Sequence, residues 1–165
     1  MMRLAGDQEV LGLGEYAVRR GQAQLAALGL GSCVAVILHD STSQLGGMAH
    51  VVLPSQSLSR DRSRPARFAE TAVPLLLEEM LQQGADARQI TARLVGGAAM
   101  FGALLPAGTM HMGQRNVSAC RTAVRTADLR LIAEAVGGER GRSIWFEVTT
   151  GRVTVRSVGD VPSDL

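Results

Sequence analysis

The stretch LGLGSCVAVILHD, residues 28–40, carries no charge before its last residue and no alternation of apolar with polar side chains. Val34, Val36 and Ile37 favour a strand there, and a strand without alternation is buried on both faces. A strand of that kind belongs inside a layered domain. The following DSTSQLGG (40–47) is rich in turn formers and reads as a hairpin loop. MAHVVLP then returns as a second strand, stopped by Pro54. Cys33 and His50 thus lie near opposite ends of a strand–loop–strand unit, where folding back can bring them together.

The remaining pattern supplies the other layers. EVLGLGEYAVRR (9–20) reads as a short strand and turn, with QLAALGLGS after it, and SQSLSRDRSRPAR (55–67) reads as a polar loop. RFAETAVPLLLEEMLQQGA (67–85) is the clearest helix: Ala69, Val73, Leu76, Leu77 and Met80 recur at helical spacing, and Gly84 supplies a stop. Pro74 conflicts with it, because proline inside a helix costs ~3 kcal/mol. The helix is therefore either kinked at Pro74 or begins near it. ARQITARLV leads to a strand ending at GGAAMFG, and MGQRNVSACRTAVRTA (112–127) is a second helix with Val117, Cys120, Val124 and Ala127 on one face. LRLIAEAVGG reads as a strand, RSIWFEVTTGRVTVRS as a hairpin turning near Thr150–Gly151, and 159–165 as a frayed tail. LGLG occurs at Leu11 and again at Leu28, but the flanks differ and no repeat follows. The sum is about three helical stretches among seven or so strands, a single α/β domain over residues 1–165.

Composition removes several function classes. With 46% apolar and 19% charged residues the chain is of ordinary globular type, and 165 residues suit one domain with one sizeable core. Aromatics are only 3%, which argues against base-stacking platforms, and a net charge of +2 is too small for general nucleic-acid binding. All 17 basic residues are arginine, which excludes a Schiff-base lysine, a P-loop lysine and a Ser–Lys dyad. Two cysteines make no disulfide framework. The opening MMRLAGDQEVLGLG lacks a basic start followed by an apolar core, and the apolar-rich run from Leu25 to Leu38 has 14 residues, short of the ~20 a spanning helix needs. The expectation is a cytoplasmic protein with reduced thiols and no membrane insertion.

The residues open two readings of Cys33 and His50. A cysteine sulfur is the nucleophile of acyl transfer, and an imidazole can take its proton. Cys33 follows GLGS directly, and glycines there let the backbone turn and leave N–H groups, that of Cys33 among them, free to bind an oxyanion. Equally, Cys33 fits as a small filler of a buried strand and His50 as a hydrogen-bonded core histidine. Cys120, on the apolar face of a helix, reads as core. Cys33, Cys120, His39, His50 and His111 show no CxxC or HxxxH pairing, so no metal site is expected, and MHM (110–112) reads as a surface loop. GGAAMFG and LGLGSC give neither GxGxxG nor a Walker pattern, so no nucleotide or other cofactor is expected. Arg60, Arg62, Arg64 and Arg67 read as a solvated loop, and Asn116 as a cap or hydrogen-bonding residue near a helix start, with an active-site role open but without support in the pattern.

Beyond these patterns, eight pieces stand in one order along nearly the whole chain: GEYAV (14–18), LGLGSCVAV (28–36), GGMAHVVLP (46–54), RFAETAV (67–73), GGAAMF (96–101), GQRNV (113–117), VGGERGRS (136–143) and TGRVTVR (150–156). In them the chain resembles the CheD family, the chemoreceptor glutamine deamidases of bacterial and archaeal chemotaxis. The resemblance implies a thiol deamidase with Cys33 as nucleophile and His50 as general base and acid. It implies an α/β sandwich of mixed sheets flanked by helices, related to the catalytic domain of cytotoxic necrotizing factors. Its implied partners are the cytoplasmic helices of chemoreceptors and a CheC-type phosphatase. The family has a threonine that orients the histidine; here that position is Ala27, which has no hydroxyl. The family tyrosine is Phe68 here, and Gln114 in GQRN is a further departure. Ala27 favours one other reading, a CheD-like adaptor that binds without turnover, and a second stays open beside it, a different thiol acyl-transferase such as a methylesterase or transglutaminase-like enzyme.

Overall fold

The computed structural model describes residues 8–165. Its strands are β1 (Gln8–Val10), β2 (Tyr16–Arg20), β3 (Gln24–Leu30), β4 (Val34–Asp40), β5 (Leu45–Val51), β6 (Ile90–Gly96), β7 (Arg130–Val136), β8 (Arg142–Glu147), β9 (Val153–Ser157) and β10 (Ser163–Asp164). Two α-helices join them, α1 (Ala69–Gln82) and α2 (Met112–Thr126). The strands form two five-stranded mixed sheets, one ordered β1-β3-β8-β9-β10 and the other β2-β5-β4-β6-β7. β1 and β3 pair in parallel, as do β6 and β7; the other pairings are antiparallel.

The hairpin β4–β5 forms the inner layer. All seven residues of each strand are buried, and alternation sorts their side chains between two cores. Val34, Val36 and Leu38 face α1 and α2, packing with Val73, Leu76, Met80, Val117 and Val124. Ala35 and Ile37 face the first sheet, with Leu25, Ile144, Phe146 and Val153. The layers are therefore sheet, sheet and helix pair. Each fully buried Val, Leu or Ile contributes roughly 1.5–3 kcal/mol, so the double burial holds β4 and β5 rigidly from both sides.

Among the described residues there are ten strands and two α-helices, where the sequence pattern predicts seven or so strands and about three helical stretches, and three places account for most of what differs. β3 is a full strand where the alanine-rich QLAALGL had no clear strand signal. Alanine has low β propensity, and the register slips between Ala27 and Leu30, which breaks the period as well. α1 runs without interruption through Pro74, which lies on its exposed side, so the one hydrogen bond that proline cannot give is lost where the helix faces outward. Residues 159–165, read as a frayed tail, contain β10 paired to β9, and the Leu165 N–H donates to the Val153 carbonyl at 2.9 Å. Among the described residues, no helix is long and apolar enough to cross a membrane.

Candidate active site

Cys33 is the residue immediately before β4, half-buried, and burial pushes its thiol up from the ordinary value. Its backbone is pinned from below. The Gly97 N–H donates to the Cys33 carbonyl and the Ala98 N–H to that of Gly31, both at 2.8 Å. The chain passes so close there that a Cβ on Gly96, whose φ is +121°, would sit 2.2 Å from the Cys33 oxygen. Only glycine fits this crossing. Among the described residues no backbone acceptor takes the Cys33 N–H. The GLGS glycines do less than the sequence suggested: the Gly29 N–H, at the bulge of β3, is occupied by Ser143 Oγ at 3.0 Å.

His50 lies in β5, buried, with its main chain tied to the turn before β2: its N–H donates to the Glu15 carbonyl and its own carbonyl accepts from Gly14, both at 2.9 Å. Its ring Nδ1 lies 3.0 Å from the Leu11 carbonyl oxygen. A carbonyl only accepts, so Nδ1 carries the proton, and Nε2 of a singly protonated ring is the basic nitrogen. A backbone carbonyl thus performs the orienting contact for which Ala27 has no group. Ala27 is fully buried in β3 opposite Ile144 and contributes packing alone.

Register relates the two side chains. His50 pairs with Ala35, and Cys33 stands two residues before Ala35, so both point toward the first sheet as diagonal neighbours. Diagonal pairs on a sheet lie roughly 7–8 Å apart. The fold brings Cys33 and His50 together on one face; among the described residues no hydrogen bond joins their side chains.

The other candidates go elsewhere. Cys120 is buried in the helix-side core and its thiol is pushed up to about 12 by desolvation, which makes it inert. His39, at the far end of β4, binds the Val148 carbonyl through Nε2 at 2.9 Å and meets Phe146 edge-on. His111 precedes α2, where its N–H donates to Gln114 Oε1 at 3.1 Å. Among the described residues no three His, Cys, Asp or Glu side chains gather as metal ligands. Arg60 and Arg62 are exposed; Arg64 donates to the Leu13 carbonyl at 3.2 Å, and Arg67 to Ser59 Oγ at 3.1 Å.

Two features beside Cys33 and His50 were missed or undervalued in the sequence. Asn116 is fully buried, and its Nδ2 donates to the carbonyls of Ser32 and Val52, both at 2.9 Å. The signal was present: helical spacing puts Asn116 four residues before Cys120, on the stripe α2 buries, and a buried amide must find partners. The second is an apolar rim. Phe101 and Leu104 are 72% and 82% exposed on the segment between β6 and α2. They border a cavity of about 200 Å³ that also includes Ser32 and His111. A larger hollow of about 730 Å³ lies between α1 and α2, lined by residues such as Pro74, Leu77 and Ala123, and reaches neither Cys33 nor His50.

Comparison with known proteins adds the following. A family model described as "CheD chemotactic sensory transduction" matches residues 52–157. That match begins after His50, so it covers the helices and later strands rather than Cys33 and His50. Whole-length relatives extend further. "Probable chemoreceptor glutamine deamidase CheD" of Desulforamulus reducens is 38% identical over 160 residues, 96% of this chain and 96% of that protein. "Chemoreceptor glutamine deamidase CheD" of Thermotoga maritima is 40% identical over 152 residues, 92% of this chain and 93% of that protein. An archaeal relative of the same description as the first, from Pyrococcus abyssi, is 37% identical over 148 residues, 90% of each. Spans of that length run through positions 27, 33 and 50.

Proposed function

The chain belongs to the CheD family, and from that premise we propose that it deamidates glutamine side chains of chemoreceptors through Cys33 and His50. The observation that carries this reading is the His50 ring: Nδ1 is held by the Leu11 carbonyl, and the basic Nε2 is left for the face that Cys33 shares. The pair starts as a thiol, because burial disfavours the thiolate. As a glutamine carboxamide enters, Sγ attacks its carbonyl carbon while His50 Nε2 takes the thiol proton. The Cys33 N–H, taken by no described backbone acceptor, is the donor offered to the developing oxyanion. His50 returns the proton to the amide nitrogen, which leaves as ammonia, and a thioester remains on Cys33. Water, deprotonated by His50, hydrolyses the thioester to glutamate and restores the thiol. One water is consumed and one ammonia released, with no redox change and no cofactor.

Each turnover replaces a neutral amide with a carboxylate on a receptor helix, which changes helix–helix repulsion and hence signalling bias. The site of action is the cytoplasm, where these helices lie. The exposed Phe101–Leu104 rim suits an amphipathic helix laid against the cavity beside Ser32. A CheC-type phosphatase fits as a second partner, and the sandwich is related to that of cytotoxic necrotizing factors. The test is incubation with a receptor cytoplasmic fragment, reading ammonia and the glutamine-to-glutamate mass change in peptides. Conversion that disappears in Cys33→Ala is expected. Binding without conversion would make the protein an adaptor, and cleavage of glutamate methyl esters without amide cleavage would make it an esterase.

A further inference from the structure

We propose that Asn116 is a positioning residue for Cys33 and His50, its side-chain amide standing in for the rung that the β4–β5 ladder lacks one residue before the thiol. This rests on the reading of Cys33 and His50 as the reacting pair. The last pairing of the ladder is Val34 with Val51. Pairs in an antiparallel ladder alternate between bonded and non-bonded, and Cys33 and Val52, next in register, face outward: the Cys33 carbonyl accepts from the Gly97 N–H at 2.8 Å, and the Val52 N–H donates to the Arg67 carbonyl at 2.9 Å. The next rung would join Ser32 to Leu53, but the Leu53 N–H is also given to the Arg67 carbonyl, at 3.1 Å, so the Ser32 carbonyl is left for another donor. Asn116 enters this gap from α2. One Nδ2 proton goes to the carbonyl of Ser32, the residue before Cys33, and the other to that of Val52, two residues after His50, each at 2.9 Å.

Both partners can only accept, so the amide orientation follows from the bonds themselves. The side chain is 0% exposed and its Oδ1 has no partner. An unpaired buried acceptor is unfavourable, so packing alone does not account for an amide here; the two Nδ2 bonds do. The anchor is also rigid. At Gly113 in the first turn of α2, a Cβ would stand 2.6 Å from the carbonyl oxygens of Gly97 and Ala98, the residues whose N–H groups pin Cys33 and Gly31. Asn116 therefore ties both ends of the dyad to one fixed point. Without it the strand ends part, and a misplacement of about 1 Å can cost about 10²-fold in rate.

The test uses the full chain with Asn116→Ala, Asn116→Ser and His50→Gln. Cys33 is alkylated with iodoacetamide across pH, with labelling assigned by peptide mass, alongside deamidation kinetics on a receptor cytoplasmic fragment and thermal melts. In the wild type the alkylation profile should carry an inflection that His50→Gln removes. Asn116→Ala should lose that inflection too, and its kcat should fall about 10²-fold with KM unchanged. Asn116→Ser, with one donor left, should fall between. The proposal is overturned by an Asn116→Ala profile like the wild type's, by a kcat loss that vanishes at temperatures where the variant is fully folded, or by a wild-type profile without a His50-dependent inflection. It is equally overturned if both Asn116 variants fail to fold, since the amide would then support the fold at large. A wild type that converts no glutamine refutes the deamidase reading, while the alkylation profile still judges Asn116.

Discussion

The β4–β5 hairpin carries one histidine at each end, on the same face, and each ring is held by a main-chain carbonyl. His39 is tied through Nε2 to Val148, His50 through Nδ1 to Leu11. The surroundings then diverge. His39 is closed in by Phe146 edge-on and by Gly151, where a Cβ would come within 2.6 Å of the ring; burial lowers its pKa. His50 faces the end where the ladder stops and a half-buried thiol begins. Two chemically identical side chains on one hairpin thus become a sealed structural contact and a candidate base. The difference comes from which nitrogen is tied and from what lies beyond the last strand pair.

Substitutions can break this contrast, beginning with the largest effect. Cys33→Ala should lower deamidation by about 10³-fold or more while receptor-fragment binding persists; residual turnover at the wild-type rate would remove Cys33 from the mechanism. His50→Gln should cost about 10²–10⁴-fold in kcat, whereas His39→Leu should leave the rate per folded molecule unchanged. Equal losses from the two would erase the distinction between the hairpin's ends. His39→Leu should instead destabilise the fold by about 1–3 kcal/mol, because the Val148 carbonyl loses its partner. The pH dependence sharpens the point. A histidine whose folded pKa is lowered binds its proton more readily in the unfolded chain, so its contribution to stability falls as pH drops below about 6.5. Melting temperatures taken from pH 7.5 down to 5 should show that slope in the wild type and a shallower one in His39→Leu. The smallest effect is expected for Ala27→Thr. Its site is fully buried, so the added atoms should cost at most about 1–3 kcal/mol by overpacking. With His50 Nδ1 already bonded to Leu11, kcat should not rise; a clear increase would show that the carbonyl alone orients the ring poorly.

Much of the hairpin was legible because burial on both faces leaves a direct trace in sequence: Val34 to Leu38 are apolar without alternation, as are Met48 to Val51 apart from His50. The turn between them, the run of α2 and the core role of Cys120 followed from composition and period. β3 was not legible, since alanines and a bulge carry neither propensity nor period. Residues 159–165 were not legible as a strand either, because two residues make no pattern and β10 is held by its pairing with β9 and the Arg152–Asp164 ion pair. At the site, the sequence placed Cys33 and His50 in one unit but could not say which face each took.

The sequence by itself determined the layered α/β class, the double burial of the central hairpin and, through its ordered motifs, the resemblance to CheD. These are properties of local pattern, and local pattern is written in neighbouring residues. Only the tertiary structure decided how His50 is oriented and how the end of the hairpin is closed. The orienting group is the carbonyl of Leu11, and the closing group is an amide from a helix sixty-four positions beyond Val52. A main-chain carbonyl is present at every residue and so leaves no mark in a sequence; its role is set only when folding brings it within hydrogen-bond reach. That is why the Ala27 substitution looked like a missing part in the chain, while in the fold the Nδ1 contact is already made.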